Sequence, residues 1–317
     1  MATTMTETMQ AVQIHFFGGP NVLQFEETHR PEPGPHQVLV RVHAAGVNPV
    51  DWKIREGKLG QIPLPSIMGS DFSGEIEALG PDVTEFRVGE MVFGSVADES
   101  GSYAQYALAP VTHIAEKPKE IDHIHAAAIP VPAMTAWQAL FDAAKLQPGQ
   151  KVLIHAAAGG VGSFAVQFAK WKGAHVIGTA SESNAELVRS FGADEFIDYR
   201  STRFEEVVRD VDVVLDTIGG DTQERSWKVL KKGGVLVSLV QPPSEQKAQA
   251  HNARGVLLRE DASHSEELSH IAKLVANGQV KVNVEKVFHL YEARQAQELS
   301  QSGHARGKII LSVIRES

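Results

Sequence analysis

The sequence predicts an α/β protein of two domains, one β-rich and barrel-like, the other a parallel, doubly wound sheet. Three observations carry this. At 317 residues the chain is long for a single hydrophobic core. Up to about Pro110, short apolar runs alternate with Pro and Gly punctuation. From about Ala126, strand-like and helix-like segments alternate with short connections, the pattern of a parallel sheet.

Taken in order, residues 1–10 are rich in Thr and Met, with neither a basic start nor an apolar stretch. They read as a disordered leader, not a signal peptide. Apolar runs at 38–42, 73–78 and 90–93 then predict strands, separated by Pro31-Glu-Pro-Gly-Pro35, Gly69, Gly80-Pro81 and Gly89. A helical stretch over 132–146 stops at Pro148-Gly149. Predicted strands at 151–155, 174–179, 194–197, 211–215 and 234–239 are separated by helices at 161–172, 183–191, 202–209 and 221–231. The tail reads as helix 264–277, strand 280–288, helix 291–302 and strand 308–313, and is expected to rejoin the first domain. The divisions are therefore 1–130, 131–262 and 263–317, without repeats or low-complexity linkers.

Composition narrows the function classes. Hydrophobic residues make up 43% and charged residues 22%, ordinary for a globular protein. A net charge of -9 argues against a broad nucleic-acid surface. No apolar run approaches the roughly 18 residues of a membrane span. The absence of cysteine excludes disulfides, thiolate nucleophiles and cysteine-ligated zinc, and fits a cytoplasmic location.

The run Lys151-Val-Leu-Ile-His155-Ala-Ala-Ala-Gly159-Gly160-Val161-Gly162 carries the chemistry. An apolar strand enters a glycine-rich turn and an amphipathic segment from Ser163 to Lys172 follows. This is the strand–turn–helix that cradles a dinucleotide pyrophosphate, with Ala157 in place of the first glycine of the fingerprint. Gly159 lets the backbone approach the phosphates, Gly162 lets the helix pack on the strand, and the helix N-terminus offers N–H groups to the anion.

The chain also resembles the medium-chain dehydrogenase/reductase superfamily, on its zinc-free quinone oxidoreductase and enone reductase side. The resemblance runs through Gly18-Gly-Pro, Val38-Leu-Val-Arg-Val42, Ala45-Gly-Val-Asn48-Pro-Val-Asp51-Trp-Lys53 and Gly69-Ser-Asp71-Phe-Ser-Gly74. It continues through Val88-Gly-Glu-Met-Val-Phe-Gly94, Gly101-Ser-Tyr103-Ala, Thr135-Ala-Trp-Gln-Ala-Leu140, the glycine loop and Gly307-Lys308-Ile-Ile-Leu. It implies a GroES-like catalytic domain and a Rossmann nucleotide domain. Zinc-dependent relatives place a cysteine where Asn48 stands and a His-Glu pair where Ser70-Asp71 stand, so the resemblance implies a zinc-independent enzyme with no metal site.

The strand over 174–179 runs into Ala180-Ser181, without the acid that an NAD site carries about 20 residues past the loop. This permits NADP, with Ser181, Tyr199 and Arg200 at the adenosine end by resemblance. The loop after Ser181 offers no lysine, unlike many relatives. The resemblance also implies cofactor contacts from Lys53, Thr135, Arg306 and Gly307. Ile218, Ser238, Leu239 and Val240 follow two sheet strands at the carboxyl edge, where their backbones would line the nicotinamide pocket.

For chemistry, Lys53 and Asn48 lie where the family places its catalytic cleft. Hydride addition to an enone or quinone builds charge on oxygen, which a nearby ammonium or amide stabilises. The proton can come from Lys53, Tyr103, a ribose hydroxyl or water. Lys53 also reads as a solvated lysine, and Asn48 as a turn residue before Pro49. Asp51 and Asp71 read as turn and packing residues. His123, His125, His264 and His270 read as solvated or capping, and His155 as packed inside a strand. A strand near Gly255–Leu258 is expected to pair two subunits of a homodimer. The leading expectation is an NADPH-dependent reductase of quinones or α,β-unsaturated carbonyls. The alternatives are a zinc-free alcohol dehydrogenase and a non-catalytic NADPH-binding redox sensor, structural or RNA-associated protein.

Overall fold

A computed structural model describes residues 7–97, 99–259 and 265–314. The chain divides into two compact units. One takes in Met1–Val131, Ala262–Asn277 and Val282–Ser317, and the other Pro132–Asp261 and Gly278–Lys281.

The first unit begins with eight strands: β1 (Thr8–Ile14), β2 (Gln24–His29), β3 (Gln37–Val47), β4 (Ser66–Ile67), β5 (Asp71–Leu79), β6 (Met91–Ser95), β7 (Tyr106–Pro110) and β8 (Ile114–Glu116). The second contains β9 (Lys151–Ile154), β10 (His175–Ala180), β11 (Glu195–Asp198), β12 (Val211–Asp216), β13 (Leu230–Ser238) and β14 (Arg254–Leu257). The chain then returns to the first unit for β15 (Val284–His289) and β16 (Lys308–Ser312).

In the first unit β3 is the central strand. It pairs antiparallel with β5 and, along different parts of its length, with β7 and β16. Nearly every residue of β3 is therefore covered, which is why Val38, Leu39, Val40, Val42, Ala44 and Ala45 form a near-continuous apolar run. Phe72, Ile76, Tyr103, Ile309 and Leu311 complete this core. Each such side chain contributes about 1.5–3 kcal/mol of burial.

The second unit is a six-stranded parallel sheet in the order β11-β10-β9-β12-β13-β14. The order reverses between β9 and β12, so the crevice at their carboxyl ends is the switch point where α/β sheets bind ligands. The core beneath it is built from Leu153, Ile177, Val214, Trp227 and Leu236.

Two expectations are corrected. Thr8, Met9 and Gln10 are not leader but the start of β1, paired with His29, Thr28 and Glu27; Met1–Thr6 lie outside the described residues. The helix expected over 221–231 is α-helical only over Gly220–Ser226, and Leu230 already begins β13. Val211 pairs with Leu230 across a bulge, and Gly233 at φ 78° provides the bend. His264 also lies outside the described residues.

Candidate functional site

The glycine loop follows β9 directly. Helix Gly160–Trp171 begins at Gly159, whose extended backbone is its N-cap, and no side chain caps the first turn. Its leading N–H groups are thus left for a ligand. A Cβ on Gly162 would stand 2.2 Å from the Ala156 carbonyl oxygen and 2.9 Å from the Ala157 Cα, so the helix packs on the turn at a distance no side chain allows. At Gly159 the nearest atom would be the same oxygen at 3.2 Å, leaving that face open. Val161 is half-buried beside Gly160 in the first turn. This cradle fits a dinucleotide pyrophosphate.

At the expected adenosine end, Ser181 is buried, and its hydroxyl lies 3.1 Å from Ser183 Oγ and accepts from Asn184 Nδ2 at 3.0 Å. Tyr199 is exposed and the Arg200 guanidinium stands 5.7 Å from the centre of its ring, a cation–π pair open to solvent. These groups are an aromatic face, a guanidinium and hydroxyls, and the Asp198 carboxylate lies beside them, its Oδ1 accepting from the Arg200 N–H at 3.1 Å. Thr135 is buried in helix Pro130–Trp137.

Past β12 and β13, Asp216 is fully buried and accepts four hydrogen bonds. Its Oδ1 takes the N–H groups of Ile218 (3.0 Å) and Gly219 (2.8 Å), and its Oδ2 takes Gln223 Nε2 and Ser238 Oγ (both 2.9 Å). Ser238 thus turns its hydroxyl inward, and its carbonyl accepts from Leu258. The Leu239 N–H donates to the Asp216 carbonyl. Ile218 and Val240 stay exposed at the carboxyl edge.

His155 is packed. Ser226 Oγ donates to Thr222 O, so it accepts from His155 Nε2 at 2.9 Å, which leaves Nδ1 to accept from Thr179 Oγ1 at 3.1 Å. Burial, aided by the Arg225 charge and opposed by Asp216, pushes its pKa down to about 4.

In the first unit, helix Pro49–Arg55 carries Asn48 at its N-cap and Lys53 in its last turn. Lys53 is half-buried, its ammonium 5.7 Å from the centre of the Trp52 ring. Beneath it lies a buried polar cluster. Asp51 Oδ2 accepts from the Asn48 N–H and from Tyr103 Oη, both at 2.8 Å, while Oδ1 has no partner. The Asn48 side chain donates to Asp71 Oδ2 at 2.8 Å and accepts from the buried Lys308 ammonium. Lys308 also donates to Val47 O at 3.1 Å and stands 3.7 Å from Asp71 Oδ2. The Val131 N–H caps Asp71 Oδ1 at 2.9 Å.

Burial pushes Asp51 up to about 7, helped by repulsion from Asp71 and opposed by its hydrogen bonds and by Lys308. Burial likewise raises Asp71 and lowers Lys308, each resisted by the charge of the other. Tyr103 is fully buried, and burial together with the Asp51 charge raises its phenol well above 10. Its hydroxyl proton is held by the Asp51 carboxylate, so the two residues form one buried hydrogen-bonded pair.

Arg306 is exposed, and its carbonyl accepts from Asn283 Nδ2. Gly307 sits at φ 138°, where a Cβ would stand 2.5 Å from Asn283, so its backbone requires glycine. Of the histidines, His125 bonds to Asp122, its helix cap. His123 departs from the solvated or capping role: its ring centre lies 4.1 Å from that of His43, the planes tilted by 31°, and its Nδ1 lies 2.8 Å from Ser73 Oγ.

Sequence reasoning passed over Asp216, Gln223 and Lys308 as functional residues. A lysine opening the apolar run Lys308-Ile-Ile-Leu was the available signal of a buried charge. Asp216, closing an equally apolar strand, was another. Among the described residues no group of three His, Asp or Glu is placed to hold a metal, and the oxygens of Asn48 and Asp71 already serve the Lys308 ammonium.

Comparison with known proteins places this geometry among relatives. Residues 34–119 match the model of the alcohol dehydrogenase GroES-like domain, and residues 191–311 that of a zinc-binding dehydrogenase domain. The quinone oxidoreductase of Mus musculus is 35% identical over 330 residues, covering 97% of this chain and 99% of that protein. The mitochondrial NAD(P)H oxidoreductase RTN4IP1 of Danio rerio is 32% identical over 328 residues, covering 89% and 85%. The structure of the quinone oxidoreductase from Coxiella burnetii aligns with a TM-score of 0.90 at 36% identity, over 97% of this chain and 100% of that one.

Proposed function

Because the chain belongs to the medium-chain dehydrogenase/reductase superfamily, on its quinone oxidoreductase-like branch, we propose that it is an NADPH-dependent, zinc-independent reductase of quinones or α,β-unsaturated carbonyls. The observation that carries this reading is the uncapped helix N-terminus behind the Gly159–Gly162 turn, at the switch point of a parallel sheet. When bound there, the reduced nicotinamide supplies a hydride.

The chain's own residues do the rest. Gly159, Gly160, Val161 and Gly162 hold the pyrophosphate. Ser181, Tyr199 and Arg200 take the adenosine and its 2′-phosphate. Thr135, Ile218, Ser238, Leu239 and Val240 line the nicotinamide end, and Arg306 and Gly307 add backbone contacts. The Lys53 ammonium stabilises the charge that develops on the acceptor's oxygen and touches the cofactor. Asn48, fixed by Lys308 and Asp71, holds the start of the helix that carries Lys53. Tyr103 and Asp51 brace that helix, and Lys53, Tyr103, a ribose hydroxyl and water are the candidate sources of the proton. Zinc independence is supported by the absence of cysteine and by the Lys308 ammonium among the oxygens of Val47, Asn48 and Asp71.

No described helix is long and apolar enough to cross a membrane. We assign the activity to the cytoplasm, which cell fractionation tests. The acceptor is a small molecule; neither nucleic acid nor membrane is a partner. We propose that a second copy pairs along the outer edge of β14, and a light-scattering mass equal to one chain would overturn the dimer.

The deciding experiment follows nicotinamide absorbance with a simple quinone, a short enone and a long enal, using NADPH and NADH in parallel. NADPH-selective turnover that survives chelators is expected. Lys53→Met should lower kcat by about a hundredfold and weaken cofactor binding by much less than that. Tight NADPH binding without turnover on any acceptor would replace the reductase by a redox sensor or structural protein.

A further inference from the structure

We propose that Asp216 is the positioning residue for the nicotinamide half of the cofactor, acting as a buried clamp that makes one rigid floor of the loops after β12 and β13. The proposal rests on the cofactor reading above and goes beyond it, because it separates the two halves of the dinucleotide.

Four donors converge on this one carboxylate, two from the loop after β12, one from the helix that follows it, and one from the end of β13. No lysine or arginine forms a close ion pair with Asp216 among the described residues, so hydrogen bonds fix its carboxyl group in place. A second belt reinforces the first. Gln241 Oε1 accepts from the Gly220 N–H at 3.1 Å, Gln241 Nε2 donates to Gln223 Oε1 at 3.2 Å, and Gln223 Nε2 also reaches Gln241 O at 3.3 Å. The two loops touch directly, since a Cβ on Gly219 would stand 2.9 Å from Val240 Cγ2.

This clamp presents an apolar pair. Ile218 and Val240 are 53% and 39% exposed, two apolar side chains held outward at the carboxyl edge of the sheet. Thr217 Oγ1 donates to His155 O at 3.0 Å, tying the same loop to the end of β9 where the glycine turn begins. An apolar floor whose backbone is welded in place suits a flat ring. The hydroxyls and guanidinium near Ser181 and Arg200 suit the phosphate end.

The test compares binding, not turnover. NADPH and 2′,5′-ADP, which lacks the nicotinamide half, are titrated by calorimetry into the whole wild-type chain and the Asp216→Asn variant. An asparagine oxygen can still accept from Ile218 and Gly219, but its amide meets Gln223 Nε2 donor against donor. The expected result is a roughly tenfold loss of NADPH affinity with 2′,5′-ADP binding kept within about twofold. Gln241→Leu breaks the second belt and leaves the carboxylate in place, so it should show a smaller split in the same direction if Asp216→Asn fails to fold. Equal loss of both ligands, or loss of neither, overturns the clamp. A wild-type protein that binds neither ligand overturns the cofactor reading itself and the clamp with it.

Discussion

Substituting Gly162 by alanine tests the cradle at its tightest point. The new Cβ would meet the Ala156 oxygen at 2.2 Å, with the Ala156 carbonyl carbon and the Ala157 Cα at 2.9 Å. All three are backbone atoms of the turn, so no side chain can rotate away. An ordinary contact requires roughly 1 Å more, and the start of helix Gly160–Trp171 must lift from β9 to provide it. Overpacking of this kind costs about 1–3 kcal/mol, against at most about 1 kcal/mol gained by alanine in a helix. A net loss of about 1–2 kcal/mol should lower the melting temperature by about 1.5–3 °C for a chain of this length. Because the lifted segment is the one proposed to hold the pyrophosphate, NADPH affinity should fall at least tenfold. Gly159→Ala is the matched control: its Cβ would stand 3.2 Å from the same oxygen, so stability should barely change while cofactor affinity still drops. Melting is followed by circular dichroism and binding by nicotinamide fluorescence. A Gly162→Ala protein that melts and binds like wild type would refute the reasoning.

Other outcomes follow from the buried charges and the adenosine end. His155 has a native pKa near 4 against an ordinary 6.5, so the unfolded chain binds the extra proton first, and stability falls as pH drops from 6.5 towards 4. His155→Gln should remove that slope, which spans about 3 kcal/mol for a fully buried group, in denaturant midpoints measured across pH. Asp51 is shifted the other way, from 3.8 to about 7, so the native state holds the extra proton and stability falls as pH rises through that window. Asp51→Asn should flatten this opposite slope, with the amide oxygen accepting from Asn48 and Tyr103; an unchanged pH dependence would remove Asp51 as its source. Arg200→Ala should weaken NADPH by about tenfold and leave NADH binding unaltered, and equal effects on both would separate Arg200 from the 2′-phosphate.

Local pattern determined much of this protein. The alternation of strand and helix over Lys151–Ser238 and the glycine turn were legible because their signals are periodicity and the demand for a residue without a side chain, both local properties. The segment Asn48–Lys53 was likewise readable from its order along the chain. Tertiary structure alone decided which charges are buried together. Lys308 lies 260 residues from Asn48, and Asp71 and Asp51 come from a strand and a helix. No spacing within any one segment announces that they meet, yet once desolvated each is costly without the others. Tyr103 illustrates the same limit: only the fold sets a carboxylate 2.8 Å from its hydroxyl and closes both away from water. The Asp216 clamp was hidden for the same reason. Its donors are spread from Ile218 to Ser238, and only the parallel pairing of β12 with β13 brings them to one carboxylate.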